Sequence, residues 1–137
     1  MPRCAVTRRS HFNAAHRLHN PARSDEWNRE LYGVCNNPHF HGHNYELDVT
    51  VTGNINPETG EVMDLARLRD LVEREIVAVM DHRNLNLEVE WFRELIPTAE
   101  NIAVCTWRAL RAALPAELEL RIRLWETPRN YVEYAGE

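Results

Sequence analysis

An α+β fold is predicted by two kinds of periodicity within one short chain. Three blocks, residues 7–18, 45–52 and 118–126, alternate apolar and polar side chains, the period of a half-buried strand. Between the second and third blocks, two stretches instead carry apolar residues at helical spacing. The simplest layering is an antiparallel sheet with both helices on one face. The 137 residues fit a single domain spanning 1–137, long enough to bury a core.

The elements follow in order. In Thr7 to Leu18, Phe12, Ala14 and Leu18 share one phase. In the second strand, Tyr45, Leu47, Val49 and Val51 take one face, and Glu46, Asp48, Thr50 and Thr52 the other. Gly53, Asn54, Asn56-Pro57 and Gly60 form a turn region, and Glu61-Val62-Met63 is expected to add a short return strand. Asp64 is the expected N-cap of a helix to about Met80, with Leu65, Leu68, Val72, Ile76 and Val79 on one face. Asp81 to Asn86 is expected to be a loop. Thr98 caps the second helix, whose stripe holds Ile102, Cys105 and Ala109 and which Pro115 ends. Leu118, Leu120, Ile122 and Leu124 line the next strand; after a turn at residues 126–130, Tyr131 to Tyr134 form the last.

Composition narrows the chemistry. A net charge of −5 argues against nucleic acid or acidic membranes as partners. All 16 basic residues are arginine, so a lysine Schiff base and a P-loop lysine are excluded. The three cysteines, Cys4, Cys35 and Cys105, form no CxxC pair and no disulfide framework, which points to a reducing cytoplasm. There is no signal-peptide pattern and no apolar run near the ~20 residues of a membrane span.

Several polar residues fall on the apolar phase of these strands. His41 and His43 share the parity of Tyr45 and Leu47, and His16 shares that of Phe12 and Ala14. Glu126 extends the face made by Leu118, Leu120, Ile122 and Leu124. Same-face neighbours on a strand lie roughly 6–7 Å apart, so two imidazoles can converge on one ion. A third from an adjacent strand would leave one coordination position open, the layout of catalytic rather than structural zinc. Zinc suits an all-imidazole set; iron, nickel and copper fit it too. A core histidine and a glutamate where the strand leaves the core are the plainer alternatives for His16 and Glu126. Asp81-His82 at a helix end and Glu100 in a helix first turn likewise suit the helix dipole.

The run Cys35-Asn36-Asn37-Pro38 followed by His41-Gly42-His43-Asn44-Tyr45 resembles the 6-pyruvoyltetrahydropterin synthase family. So do Ala15-His16-Arg17-Leu18, Asp81-His82-Arg83-Asn84-Leu85, Thr98-Ala99-Glu100-Asn101 and Glu126-Thr127, in the same order along the chain. The resemblance implies a tunnelling fold: a four-stranded antiparallel sheet with two helices on one side, assembled into trimeric barrels that stack as a homo-hexamer with active sites between subunits. It implies His16, His41 and His43 as zinc ligands and Cys35 as the base, with Asp81 and His82 completing a proton-transfer triad. Glu126 would anchor the pterin, helped by Thr98 and Glu100. The implied substrate is 7,8-dihydroneopterin triphosphate, and the implied product 6-pyruvoyl-tetrahydropterin, with release of triphosphate.

Arg9, Arg17, Arg83 and Arg129 are candidates to meet that triphosphate. Five residues separate Cys35 from His41, as in the pyruvoyl-forming branch; the related 6-carboxytetrahydropterin synthases of deazaguanine biosynthesis typically have three. Those enzymes, and a non-catalytic metal-binding protein, are the alternatives. His39-Phe40 and Ala99 depart from the family's pattern, the latter removing one hydroxyl contact to the pterin.

Overall fold

The computed structural model describes all residues, 1–137. Strand β1 (Arg3–His16) pairs antiparallel with β2 (His41–Asn54), β2 with β4 (Glu119–Thr127), and β4 with β5 (Asn130–Tyr134). A two-residue strand β3 (Arg83–Asn84) pairs parallel with Ala14 and Ala15 at the other edge. The sheet therefore has five strands of mixed direction, in the order β3-β1-β2-β4-β5, and not four antiparallel ones. The extra strand lies in the expected Asp81–Asn86 loop, where two residues are too few for alternation to reveal.

Register along β1 and β2 runs unbroken from Arg3 opposite Asn54 to His16 opposite His41. Inward parity therefore persists through Gly42. Leu47, Val49 and Val51 face Leu124, Ile122 and Leu120 across the β2–β4 ladder, and all six are buried. Phe12 and Tyr45 stack beside them, ring centroids 4.8 Å apart.

Helix α2 (Leu65–Val72) starts at Asp64, whose carboxylate accepts the Ala66 N–H. It continues through a π turn, Glu73–Val77, into α3 (Ala78–Met80). The wider turn shifts the helical phase. Ile76 and Met80 are fully buried, Val79 is only half-buried, and Leu65 is exposed. Glu61–Met63 is loop, without ladder bonds, so the expected return strand is absent.

Two further elements have no counterpart in the sequence reading. Helix α1 (Asp25–Tyr32), capped by Ser24, has a single buried residue, Asn28, and so no apolar stripe. Helix α4 (Leu85–Glu88) is one turn, capped by Asn84. Helix α5 (Ala99–Ala113) is capped by Thr98, as expected, but buries Ile102, Ala103, Thr106 and Leu110, leaving Cys105 and Ala109 half-buried. β1 also begins four residues before the expected Thr7 and stops at His16 rather than Leu18.

Leu47 is fully buried at the centre of the sheet. Leu47→Ala is expected to cost about 2–5 kcal/mol, read from chemical denaturation at fixed protein concentration. On the opposite face, Arg9 grips Asp48 with two bonds of 2.7 and 3.0 Å. That guanidinium holds the Asp48 carboxyl below its usual value. A lowered carboxyl value stabilises the fold above the unfolded-state pKa of about 3.9, and the gain fades as pH falls through the folded value. The drop in melting temperature caused by Arg9→Met should be full at pH 7 and should shrink below about pH 4.

Candidate metal centre and active site

The β1–β2 register decides where the histidines meet. His16 lies directly opposite His41, and His43 lies opposite Ala14, whose small side chain leaves room above it. The three rings pack edge to face, with centroids 4.6, 5.0 and 5.1 Å apart. One ligand atom from each lies within 4.8 Å of the other two. Bonds of 2.0–2.1 Å to a tetrahedral zinc would bring these nitrogens to about 3.4 Å, a modest inward rotation of the rings.

The second nitrogen of His16 is already committed. Its Nδ1–H donates to the Pro97 carbonyl at 2.8 Å, leaving the Nε2 lone pair free to face the other rings. Burial pushes the His16 imidazole down to about 4, so it is neutral at physiological pH, the form that ligates a metal. His41 is also lowered, first by burial and then by His43.

His16 Nε2, both His41 nitrogens and His43 Nε2 are buried with no hydrogen-bond partner. An orphaned buried polar group costs about 1–3 kcal/mol. A cation held by one nitrogen from each ring would satisfy three such groups at once. The residues present therefore fit a metal ion on their own chemistry.

Around the triad the other candidates are arranged unevenly. Glu126 lies 3.9 Å from His43 Nε2. It falls at a break in the β4–β5 register between Trp125 and Thr127, the kind of irregularity that re-aims a side chain. Burial raises its carboxyl, with His43 opposing and the Glu100 carboxylate adding to the rise. The Glu100 carboxylate is thus near enough to act on Glu126. The Thr98 hydroxyl accepts the Asn101 N–H at 3.2 Å and is engaged as a helix cap.

Cys35 sits half-buried in a 3₁₀ turn, Gly33–Asn36. Burial, then the Glu126 carboxylate, pushes its thiol up rather than down. Nothing among these side chains lowers it, so activation of the thiol needs an added positive charge.

Asp81 and His82 form a pair, Oδ2 to Nδ1 at 2.9 Å. The pair is fixed to β1 through one residue: Asn13 N–H donates to Asp81 Oδ1 at 2.9 Å, and His82 N–H donates to the Asn13 carbonyl at 2.6 Å. These bonds hold His82 at φ 59°, in the left-handed region. The Asn13 N–H, then His82, keeps the Asp81 carboxyl below its usual value. Within the chain no hydrogen bond joins His82 to Cys35, and the His82 side chain is 76% exposed. His82 lines a cleft of about 410 Å³ with Gly42, His43 and Asn44, whereas Glu126 shares those three residues with a second cleft of about 650 Å³.

The family model described as 6-pyruvoyl tetrahydropterin synthase matches residues 5–137. The chain belongs to the 6-pyruvoyl tetrahydropterin synthase family. It is 48% identical over 132 residues to a Poecilia reticulata protein named 6-pyruvoyl tetrahydrobiopterin synthase, covering 96% of this chain and 90% of that one. A Homo sapiens protein of the same name is 46% identical over 132 residues, with 96% and 91% covered. The solved structure of Caenorhabditis elegans 6-pyruvoyl tetrahydropterin synthase superposes with a TM-score of 0.94 at 38% identity, covering 100% of this chain and 98% of that one.

Two supports of the site have no signal in the sequence. Pro97 acts through its carbonyl, and Asn13 through both backbone groups, so neither side chain betrays the role. His39, singled out for its unusual place before Phe40, is exposed, and it makes its bond to Asn37 through its backbone N–H.

His41→Ala should remove bound metal, measured as metal per chain by plasma mass spectrometry after mild loading and desalting. Near-stoichiometric metal in that variant would count against the three-histidine site, provided far-ultraviolet circular dichroism shows the fold retained.

Proposed function

We propose that this chain is a zinc-dependent lyase that converts 7,8-dihydroneopterin triphosphate to 6-pyruvoyl-tetrahydropterin with release of triphosphate. The observation that carries the reading is the convergence of three unpartnered imidazole nitrogens, one of them 3.9 Å from Glu126, in a chain of this family. His16, His41 and His43 would hold the zinc. When bound, the ion would supply Lewis-acid polarisation of the substrate's side-chain oxygens and a positive charge beside the Cys35 thiol.

The chain's own groups do the rest. Glu126 receives the pterin's 2-amino and ring N–H donors on one carboxylate. Its partial burial keeps water from competing for those bonds. The Glu100 carboxylate acts on Glu126, and Thr98 caps the start of the helix that carries Glu100. Cys35, once ionised, accepts a carbon-bound proton from the substrate side chain. Asp81 orients the His82 ring through its 2.9 Å contact with Nδ1, so His82 can pass a proton on.

A homo-hexamer, a dimer of trimers, belongs to this reading. The outermost strands β3 and β5 carry the two sheet edges, and Leu31, Val34, Leu65 and Leu87 are exposed apolar side chains that assembly could cover. In it, the exposed Asp81–His82 pair of one subunit would serve Cys35 of another. Three free cysteines fit a cytoplasmic setting. The five residues between Cys35 and His41 favour the pyruvoyl product over the carboxy product.

The test is incubation of the zinc-loaded protein with 7,8-dihydroneopterin triphosphate and identification of the products by mass. The expected products are triphosphate and 6-pyruvoyl-tetrahydropterin. Release of acetaldehyde would overturn the pyruvoyl assignment. Cys35→Ala should keep its metal but lose roughly 10²–10⁴-fold in kcat, and chelation should abolish turnover in the wild type.

A further inference from the structure

Arg17 and Leu18 leave the sheet directly after the ligand-bearing His16, yet all four of their backbone polar groups are bonded. Asn86 takes both groups of Arg17: the Arg17 N–H donates to Asn86 Oδ1 at 2.8 Å, and Asn86 Nδ2 donates to the Arg17 carbonyl at 2.9 Å. On the other side, the Leu18 N–H donates to the Cys35 carbonyl at 2.9 Å, and Asn36 Nδ2 donates to the Leu18 carbonyl at 2.8 Å. Asn36 Nδ2 also lies 2.9 Å from His19 Nδ1, and Arg17 Nε donates to the Asn36 carbonyl at 2.9 Å. The segment after His16 is thus laced to the Cys35 turn by one main-chain bond, one amide and one guanidinium.

The turn has little else to hold it. Among residues 31–40, Asn36 alone is buried, at 3% exposure, and Val34 next to Cys35 is 88% exposed. No hydrogen bond involves Cys35 Sγ, so the thiol goes where the backbone of residues 35 and 36 carries it. An apolar anchor would fix a turn's depth; hydrogen bonds to a strand end fix its register as well.

We propose that Asn36 is a positioning residue that sets the Cys35 thiol against the histidine cluster, with the Arg17 guanidinium as its second support. The proposal rests on the catalytic use of Cys35 argued above. A purely structural amide would lower stability without altering what Cys35 does. A positioning amide leaves metal binding to the histidines intact and changes the reactivity of one thiol.

Asn36→Ala and Arg17→Met are therefore compared with the wild type on three readouts. These are metal per chain, steady-state kinetics with 7,8-dihydroneopterin triphosphate, and the rate of Cys35 alkylation by iodoacetamide, resolved from Cys4 and Cys105 by peptide mass mapping. The expected result for Asn36→Ala is unchanged metal, KM within about threefold, and kcat lower by about 10–10²-fold, the scale of a 1 Å misplacement. Cys35 should alkylate several-fold faster as the turn loosens, and Arg17→Met should move the same readouts in the same direction by less. If Asn36→Ala does not fold, Arg17→Met decides alone. Unchanged kcat with an unchanged alkylation rate would overturn the proposal, as would loss of metal in parallel with kcat, because Asn36 would then act on His16. If the wild type turns over no dihydroneopterin triphosphate, the proposed activity falls, while metal content and alkylation rate still decide the role of Asn36.

Discussion

The pairing of β1 with β2 is the constraint on which the rest depends. A slip of one residue would turn Phe12, Ala14 and His16 to the opposite face and scatter the imidazoles. What pins the register is apolar: Phe12 against Tyr45, then Leu47, Val49 and Val51 against β4. The last turn of the same inward phase is polar, with His16 facing His41 and His43 over Ala14. The core thus aligns the histidine cluster without contributing an atom to it. The cost is four dry imidazole nitrogens at the end of an apolar ladder, tolerable where a cation can gather three of them.

The tools that orient the surrounding groups differ in kind from those that align the histidines. Pro97 fixes the tautomer of His16 through a carbonyl, so that the nitrogen facing the cluster carries a lone pair. Asn13 uses its N–H and carbonyl to fix Asp81 and His82 to β1. The left-handed backbone of His82 is a conformation histidine adopts more readily than most residues, at a cost of order 1–3 kcal/mol. Two bonds to a central strand are enough to keep it there. Electrostatics adds a division of labour: His16 is kept neutral, Asp81 is kept ionised, and Glu126 and Cys35 are biased toward their protonated forms until a charge arrives nearby.

Much of this was legible in the sequence because strand parity is a strict code. Counting in twos puts His41 and His43 on one face and His16 on the inward phase of its own strand; the family resemblance joined the three into one set, and the unbroken register brings them together. Helix caps at Asp64 and Thr98 were legible for the same local reason. The failures share a cause as well. Helix α1 is held by Asn28, which bonds the carbonyls of Asn20 and Ser24, so it carries no apolar period to count. Strand β3 is two residues long, and the π turn changes the helical period midway, turning Met80 inward where Val79 was expected. Bonds made by main-chain groups, such as those of Pro97 and Asn13, leave no mark on residue type at all.

The uneven placement of the catalytic candidates bears on why such a site would need assembly. The Glu126 carboxylate acts on the Cys35 thiol, and the Cys35 turn is bonded to the chain just after β1, where the Leu18 N–H meets the Cys35 carbonyl. Asp81 and His82 lie across β1, beside the edge strand β3, with the imidazole open to solvent. No hydrogen bond joins His82 to Cys35 within the chain, so a proton relay between them needs one group to reach across or a second chain to supply it. The His82 backbone is clamped, because its N–H and its neighbour's carboxylate are both tied to Asn13. A rigid pair at an open sheet edge is well built to serve a neighbour's pocket. Under the proposed assembly, the exposed pair at this edge would be the group that a neighbouring chain brings to the half-buried thiol.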